Sequence, residues 1–391
     1  MPNQREYSPS DFLYGPIIGE GRFGSVVYAE NAARVGRGGG DTNPPTYDQG
    51  YAMKMIPKSE ILRYNLLQAM MTEKRVLSEL LSNSQDNKET LSSSDGASSA
   101  DTMVPKLFCC FHDDSSLYFV LELCSGGTML DLFDHCESIR QDKRRNDGNN
   151  NVPLMDKMWM RYYAGQLVRV LEYIHHRGVI HRDISPRNIL FTSKGDIKLC
   201  DFGCAVVIES DPGQAAERKM DNDFVGTADY VCPEMIRGSI TQQDSLLPAI
   251  DLWSLGCLIF QMNVGESPFH SECDESAFQR VLDFANKQSC LHFPSYTDID
   301  AKELILSLLM IDATSRIGLS DCVATSKDSQ KLYNSIRRHK FFEKDEQQQF
   351  WTLLDSNSIE PPYKPAEQSW IAQLRQNGTK MNRIDEMHFE L

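Results

Sequence analysis

Three glycines near the N-terminus have the spacing of a loop that closes over phosphates. Gly19, Gly21 and Gly24, followed by Val26, fit the pattern G-x-G-x-x-G-x-V. Glycine lets the backbone approach a phosphate and present its N–H groups to it. A dinucleotide-binding loop has a similar spacing, but there a helix follows the last glycine at once. Here β-branched and aromatic residues at 26–28 continue as a strand, which favours a hairpin lying over a nucleotide.

A lysine and a glutamate downstream of the glycines are candidates for an ion pair that holds phosphates. Lys54 ends an A-x-K sequence in a predicted strand at 51–56. Glu73 is the only carboxylate at 66–78, within a predicted helix at 66–81. A lone lysine or glutamate usually faces solvent. Together, downstream of a glycine-rich loop, the two predict a strand–helix ion pair.

Two carboxylates and an amide follow in the order that phosphoryl transfer to a hydroxyl needs. Asp183 and Asn188 fit H-R-D-x-x-x-x-N, and Asp201 opens the D-F-G sequence. Asp183 would accept or orient the proton of the attacking hydroxyl, while Asn188 and Asp201 would hold Mg2+. Each short motif is common by chance. All of them in this order predict an enzyme that uses ATP and Mg2+.

The bulk composition is that of a globular protein and argues against several classes. Of 391 residues, 41% are hydrophobic and 24% charged, and the net charge is -15. Nucleic acid and anionic membranes attract basic surfaces, so neither is an expected partner. We predict no signal peptide and no membrane span. The 11 cysteines lack C-x-x-C pairing and are interpreted as reduced thiols. We therefore expect a cytoplasmic location, with nuclear entry left open.

Apolar periodicity predicts an α+β fold with two lobes. The predicted domain covers 12–342, with a β-rich N-lobe at 12–124 that carries one helix and a helical C-lobe at 125–342. Tails precede it at 1–11 and follow it at 343–391. The other predicted elements are strands at 16–29, 103–111 and 117–123, helices at 158–176 and 248–264, a hairpin at 188–200, and polar inserts at 31–50, 82–101 and 141–151.

Residues 12–342 resemble the protein kinase superfamily and, within it, the phosphoinositide-dependent kinases of the AGC group. The resemblance is carried by YAMKMIPKSEILRYN, DFVGTADYVCPEM, DLWSLGCLIFQMNVGESPF, DATSRIG and HKFF. It implies a serine/threonine kinase that acts on the activation loops of other AGC kinases. Thr227 in G-T-A-D-Y looks like the serine/threonine marker of the superfamily. The alternative is a weakly active or non-catalytic scaffold that binds nucleotide.

The resemblance also implies a nucleotide site and a docking groove for the phosphorylated hydrophobic motif of substrate kinases. The nucleotide positions are Ile18, Gly19, Glu20, Gly21, Gly24, Val26, Ala52, Lys54, Leu121, Glu122, Cys124 and Leu190. The groove positions are Lys58, Ile61, Leu62, Leu67, Met70, Met71, Lys74, Cys110, His112, Leu117 and Phe119. Apolar residues lie on more than one side of the helix at 66–81, so some can face the core while others line a groove. The alternative is that all of them belong to the core.

Two departures from the family pattern concern the catalytic loop and the activation segment. Ser185 stands where the catalytic loop usually has lysine, and Arg187 is a candidate to supply the missing charge. Asp223 stands where the activation segment usually carries a phosphorylated serine. We hypothesise that Asp223 pairs with Arg182 and keeps this segment ordered; the alternative is an aspartate that faces water.

Further contacts implied by the resemblance are structural. Glu234 is predicted to pair with Arg316, and Asp251 to brace the catalytic loop. An apolar spine that joins the lobes is predicted from Leu77, Leu107, His181 and Phe202. Residues 343–391 are too few for the lipid-binding domain that the family usually carries, so we expect no membrane recruitment by inositides through this chain.

Overall fold

The described residues form two units, one rich in strands and one rich in helices. The computed structural model describes residues 7–21, 24–32, 50–86, 103–148, 151–208, 226–238, 246–324, 332–343 and 349–365. Among these, the first unit comprises residues up to Gly127 together with Phe191–Gly203 and Pro365, and the second comprises Thr128–Leu190 and Cys204–Lys364. This division agrees with the predicted α+β fold of a β-rich and a helical lobe.

The first unit is built on an antiparallel sheet of five strands in the order β1-β2-β3-β5-β4. The strands are β1 (Phe12–Gly21), β2 (Gly24–Asn31), β3 (Tyr51–Pro57), β4 (Leu107–His112) and β5 (Ser116–Glu122). Gly19 lies opposite Val26, and Val26 lies opposite Lys54 on the next strand. Ala52 lies opposite Leu121. Residues directly opposite one another share a face, so these predicted nucleotide positions lie on one face of the sheet.

Two helices cover part of that face. They are α1 (Lys58–Arg63) and α2 (Leu67–Asp86), and Ile61, Met70 and Phe119 pack there in a small core. A separate core on the opposite face includes Val27 and Tyr118. Helix α2 was predicted, but α1 was not. Helix α1 has only six residues, too few for helical periodicity to distinguish it from a continuation of β3.

Helices make up most of the second unit. They are α3 (Met129–Asp147), α4 (Lys157–His175), α5 (Pro233–Ile236), α6 (Pro248–Val264), α7 (Asp274–Ala285), α8 (Ile299–Leu308), α9 (Leu319–Ala324), α10 (Asn334–Arg337), α11 (Lys340–Glu343) and α12 (Gln349–Asp355). Residues 248–263 of α6 are all buried, as their apolar sequence predicted. Across the described part of the chain, no helix is long and apolar enough to span a bilayer.

Four short strands make two small sheets. Strand β6 (Val179–Ile180) pairs with β9 (Val206–Val207), and β7 (Ile189–Phe191) pairs with β8 (Ile197–Leu199). The second of these sheets is the hairpin predicted at 188–200.

The polar insert predicted at 141–151 is helical for most of its length. Helix α3 continues through it to Asp147, and Gly148 ends the helix with a φ of 64°. Within α3, Gln141 Nε2 donates to Glu137 Oε1 at 3.3 Å, and Arg144 lies 3.9 Å from Glu137. The first contact is an i,i+4 pair, and such pairs stabilise a solvated part of a helix. Residues 82–86 of another predicted insert are helical in α2; nearly all of the remainder of that insert and of 31–50 lies outside the described residues.

Candidate active site

Lys54 is the centre of a charged cluster in the first unit. Its Nζ lies 2.9 Å from both carboxylate oxygens of Glu73 and 2.9 Å from Oδ1 of Asp201. Glu73 is only 1% exposed, whereas the Asp201 side chain is 48% exposed. Burial alone would lower the pKa of Lys54, but the charges of Glu73 and Asp201 outweigh burial and raise it. The predicted strand–helix ion pair is therefore present, and it extends to the D-F-G aspartate.

The backbone around Asp201 places its carboxylate next to Lys54. Asp201 has a φ of 63°, in the left-handed region that non-glycine residues rarely adopt. Phe202, the next residue, is fully buried, and Leu199 N donates to Met103 O at 3.0 Å on the other side. The segment that carries Asp201 is thus fixed to the same unit as Lys54.

The predicted nucleotide positions fall mostly in the first unit. Ile18 to Gly21 lie on β1, Gly24 and Val26 on β2, Ala52 and Lys54 on β3, Leu121 and Glu122 on β5, and Cys124 just beyond it; Leu190 lies on β7 in the second unit. A Cβ atom at Gly24 would lie 2.1 Å from Met55 O. Only glycine allows this close approach of two strands. Residues 22 and 23 lie outside the described residues.

Asp183, in the second unit, is held by neutral donors. Thr227 donates to Asp183 Oδ1 from its backbone N at 2.8 Å and from Oγ1 at 2.7 Å. Asn188 Nδ2 donates to Oδ2 and to the backbone oxygen of Asp183, both at 2.9 Å. Gly226 has a φ of 102°, and a Cβ there would lie 2.8 Å from Arg182 O. This close approach brings Thr227 to the aspartate.

The oxygen atoms of Asn188 and Asp201 fit the ligand preference of Mg2+, which binds oxygen. Because Asn188 turns its amide nitrogen toward Asp183, its side-chain oxygen is the atom left to act as a ligand. The two residues belong to different units.

Asp251 braces the catalytic loop as predicted. This fully buried carboxylate accepts the backbone N–H groups of His181 and Arg182, both at 2.8 Å. His175 Nε2 also lies 2.7 Å from it, a partner that the sequence reasoning missed. Burial alone would raise the pKa of Asp251, but the hydrogen bond to His175 and the neighbouring His181 lower it. The lowered pKa favours the ionised carboxylate, which holds the backbone on either side of His181.

Of these two departures from the family pattern, Ser185 lies within the described residues and Asp223 does not. Ser185 is 1% exposed, and its hydroxyl has no hydrogen-bond partner among the described residues. Arg187 is exposed. Arg182 Nε donates to Cys204 O at 2.6 Å. Asp223 lies outside the described residues, so its pairing with Arg182 stays a prediction.

Glu234 and Arg316 form the predicted bidentate ion pair. Arg316 Nη2 lies 2.8 Å from Glu234 Oε2, and Nη1 contacts Oε1. Arg316 is 2% exposed, so the pairing satisfies a buried guanidinium. Of the predicted spine residues, Leu77, His181 and Phe202 are buried. Because these residues belong to different units, the spine stays a prediction.

The predicted docking positions divide into buried and exposed side chains. Ile61, Met70 and Phe119 are core residues, and Cys110 and Leu117 pack against them. Leu62, Leu67 and Met71 are exposed by 83%, 61% and 58%. Lys74 and His112 are also exposed, and Lys58 Nζ lies 3.5 Å from His112 Nδ1. Some of the apolar residues therefore form the core and others face solvent, so the alternative that all of them are core residues is wrong, and the docking groove stays a prediction.

A lysine shared by a helix glutamate and the D-F-G aspartate is the phosphate-handling arrangement of protein kinases. Residues 12–326 match the protein kinase domain family, and the chain belongs to that family. Within it, the chain resembles AGC kinases of the 3-phosphoinositide-dependent type.

Three relatives illustrate the resemblance. The chain is 31% identical over 342 residues to 3-phosphoinositide-dependent protein kinase 1 of Mus musculus. The aligned region covers 88% of this chain and 49% of the relative. It is 31% identical over 346 residues to putative 3-phosphoinositide-dependent protein kinase 2 of Homo sapiens, with coverages of 88% and 69%. It is 29% identical over 366 residues to a putative protein kinase C delta type homolog of Drosophila melanogaster, with coverages of 93% and 43%. The chain spans about half the length of the first of these relatives.

Proposed function

We propose that the protein transfers the γ-phosphate of ATP to serine and threonine hydroxyls of other proteins. The contact of Lys54 with both Glu73 and Asp201 is the observation that carries the proposal. An ammonium held in this way presents a fixed positive charge to phosphates. Bound at Asp201 and Asn188, Mg2+ would neutralise phosphate charge. Catalysis of this kind relies on positioning and electrostatic stabilisation.

Asp183 is the proposed acceptor for the substrate hydroxyl. Three N–H or O–H groups from Thr227 and Asn188 fix the direction of its carboxylate oxygens. A fixed acceptor orients the attacking hydroxyl without reorganisation during the reaction. Arg187, which is exposed, is the proposed cation in place of the missing lysine.

The proposal is tested with three peptides that differ only in a single serine, threonine or tyrosine. The full chain is incubated with Mg2+ and γ-labelled ATP, and label in each peptide is measured over time. We expect transfer to serine and threonine but not to tyrosine, and none after magnesium is chelated. Asp183→Asn serves as the inactive comparison. Equal labelling by the wild type and this variant would refute the assignment.

We further propose that the substrates are AGC kinases, recruited by their phosphorylated hydrophobic motif. The exposed Leu62, Leu67 and Met71 offer apolar contacts. Lys74 can pair with a phosphate, and so can Lys58 together with His112, which lies beside it. Nothing in this proposal requires the three core residues of the predicted groove to move.

A fusion peptide tests the recruitment. An activation-loop peptide is compared with the same peptide fused to a phosphorylated hydrophobic motif. We expect the fusion to lower KM, and Leu67→Glu to remove this advantage while leaving the rate on the short peptide unchanged. Leu353→Glu, which changes a 40% exposed leucine of α12, is the matched control. Equal rates on both peptides would exclude recruitment through this surface.

Ser185 favours a second candidate function, a nucleotide-binding scaffold with little or no activity. Its short, buried side chain cannot replace a lysine that reaches a phosphate. A scaffold of this kind would bind Mg2+ and ADP in calorimetry but transfer no label to any of the three peptides.

A further inference from the structure

Lys198 is a buried lysine that none of the proposed roles uses. It lies on β8, is 4% exposed, and its Nζ lies 2.8 Å from both carboxylate oxygens of Glu122. Glu122 is the last residue of β5. Its carboxylate also accepts the backbone N–H of Lys106 at 3.1 Å. The pair thus joins β8 to the end of β5, inside the first unit.

The position of the pair distinguishes it from an ordinary surface salt bridge. An exposed pair contributes little, since water solvates both charges when they separate. A buried ammonium has no such alternative, and loss of its partner leaves an uncompensated charge. Contact with both carboxylate oxygens also restricts the orientation of Glu122. Lys198 therefore fixes Glu122 and β8 relative to each other.

Each residue of this ion pair is followed within three positions along the chain by a residue with a proposed role in nucleotide binding. After β8, the chain reaches Asp201 through Cys200, and Asp201 contacts Lys54. After Glu122, the chain reaches Cys124. Burial and the charge of Glu122 raise the pKa of the Cys124 thiol to about 12, while Lys198 opposes this rise. Cys124 therefore lies within electrostatic range of the pair.

We propose that Lys198 is a positioning residue for the nucleotide, acting through Glu122 to fix residues 122–124 relative to Asp201. The inference rests on the proposed function, because it assigns residues 122–124 and Asp201 to one ATP. The base of the nucleotide would contact the first segment, and Asp201 would hold the metal of the phosphates. Loss of the Lys198–Glu122 ion pair should therefore weaken the binding of nucleotide without changing the affinity for the protein substrate.

Three variants of the full chain test the role. Lys198→Met keeps the length of the side chain but removes its charge, Lys198→Arg keeps the charge, and Glu122→Gln weakens the pair from the other side. The control is Lys157→Met, which removes an ion pair with Asp298 of 2.7 Å from a 40% exposed lysine of α4. Calorimetry with Mg2+ and ADP gives Kd, initial rates give KM for ATP and for peptide, and thermal unfolding gives Tm.

We expect Lys198→Met and Glu122→Gln to raise Kd for ADP and KM for ATP about tenfold, which corresponds to about 1.4 kcal/mol of binding free energy. KM for the peptide should stay unchanged, and Lys198→Arg should restore most of the affinity. If Lys198→Met fails to fold, the other two variants still test the inference. Glu122→Gln should raise Kd for ADP and KM for ATP, and Lys198→Arg should stay near the wild-type values.

Two results would overturn the inference. A lowered Tm with unchanged Kd and KM would make the pair merely structural. Equal losses in KM for ATP and for the peptide would also exclude a role in positioning the nucleotide. If the wild type neither binds ADP nor transfers phosphate, the proposed function itself fails and the inference fails with it.

Discussion

The two units hold their proposed catalytic carboxylates in different ways. Asp201, about half exposed, is held by the charge of Lys54, which is shared with the buried Glu73. Asp183 is held by the neutral donors of Thr227 and Asn188. The position of Asp201 depends on the charge of a single ammonium group. The orientation of Asp183 depends on several directional hydrogen bonds, so the loss of one donor leaves the others in place. Loss of one partner should therefore disturb Asp201 more strongly than Asp183.

Among substitutions that remove a partner of Asp201 or Asp183, Lys54→Met should have the largest effect on the rate. It removes the charge that faces Asp201 and leaves Glu73 buried without its partner. We expect kcat to fall roughly 10²- to 10³-fold, as when one preorganised electrostatic group is lost from an active site. Steady-state kinetics measure it, with Lys157→Met as the control that loses an ion pair elsewhere. A fall of less than threefold would show that the Lys54 cluster is structural.

Thr227→Val should have a smaller effect. The variant loses the hydroxyl donor at 2.7 Å but keeps the backbone N–H donor at 2.8 Å. We expect kcat to fall about tenfold, equivalent to about 1.4 kcal/mol of barrier. Thr227→Ser keeps the hydroxyl and should stay near the wild-type rate. A loss as great as that of Lys54→Met would contradict the idea that neutral donors share the orientation of Asp183.

Ser185→Lys should give the smallest change, and in the opposite direction. The new ammonium can add a contact to the transferring phosphate, at the expense of repacking around a buried position. We expect kcat to rise about threefold, equivalent to about 0.6 kcal/mol of barrier. Ser185→Met adds similar length without charge and should not raise the rate. If both variants raise it equally, the gain does not come from the charge.

The sequence predicted much of the two clusters because each motif has a fixed local spacing. Lys54, Asp183 and Asp201 are recognised from their neighbours in the chain, and the pairing of Lys54 with Glu73 follows from a strand preceding a helix. Both ends of helix α6 were predicted correctly because its apolar run is long and ends before Gly265.

Other features depend on contacts that leave no local pattern. Lys198 and Glu122 are 76 residues apart, and a single lysine in a strand gives no sign that it is buried. His175 looks like the end of an amphipathic helix, and nothing nearby predicts its contact with Asp251. The first unit also includes Phe191–Gly203. The two lobes predicted from the sequence meet at a single point, between residues 124 and 125, so this segment could not be assigned to the first unit. Such assignments require the positions of several distant segments at once.

The central claim is that the Lys54 cluster and the Asp183 cluster serve one reaction, and a double-mutant cycle tests it most directly. Single-turnover transfer of the γ-phosphate to a serine peptide is measured for the wild type, Lys54→Met, Asp183→Asn and the double variant. Residues that act as a unit give strongly non-additive losses. We predict that the double variant is about as slow as the slower single variant. Losses that multiply, or a wild type that transfers no phosphate, would contradict the account.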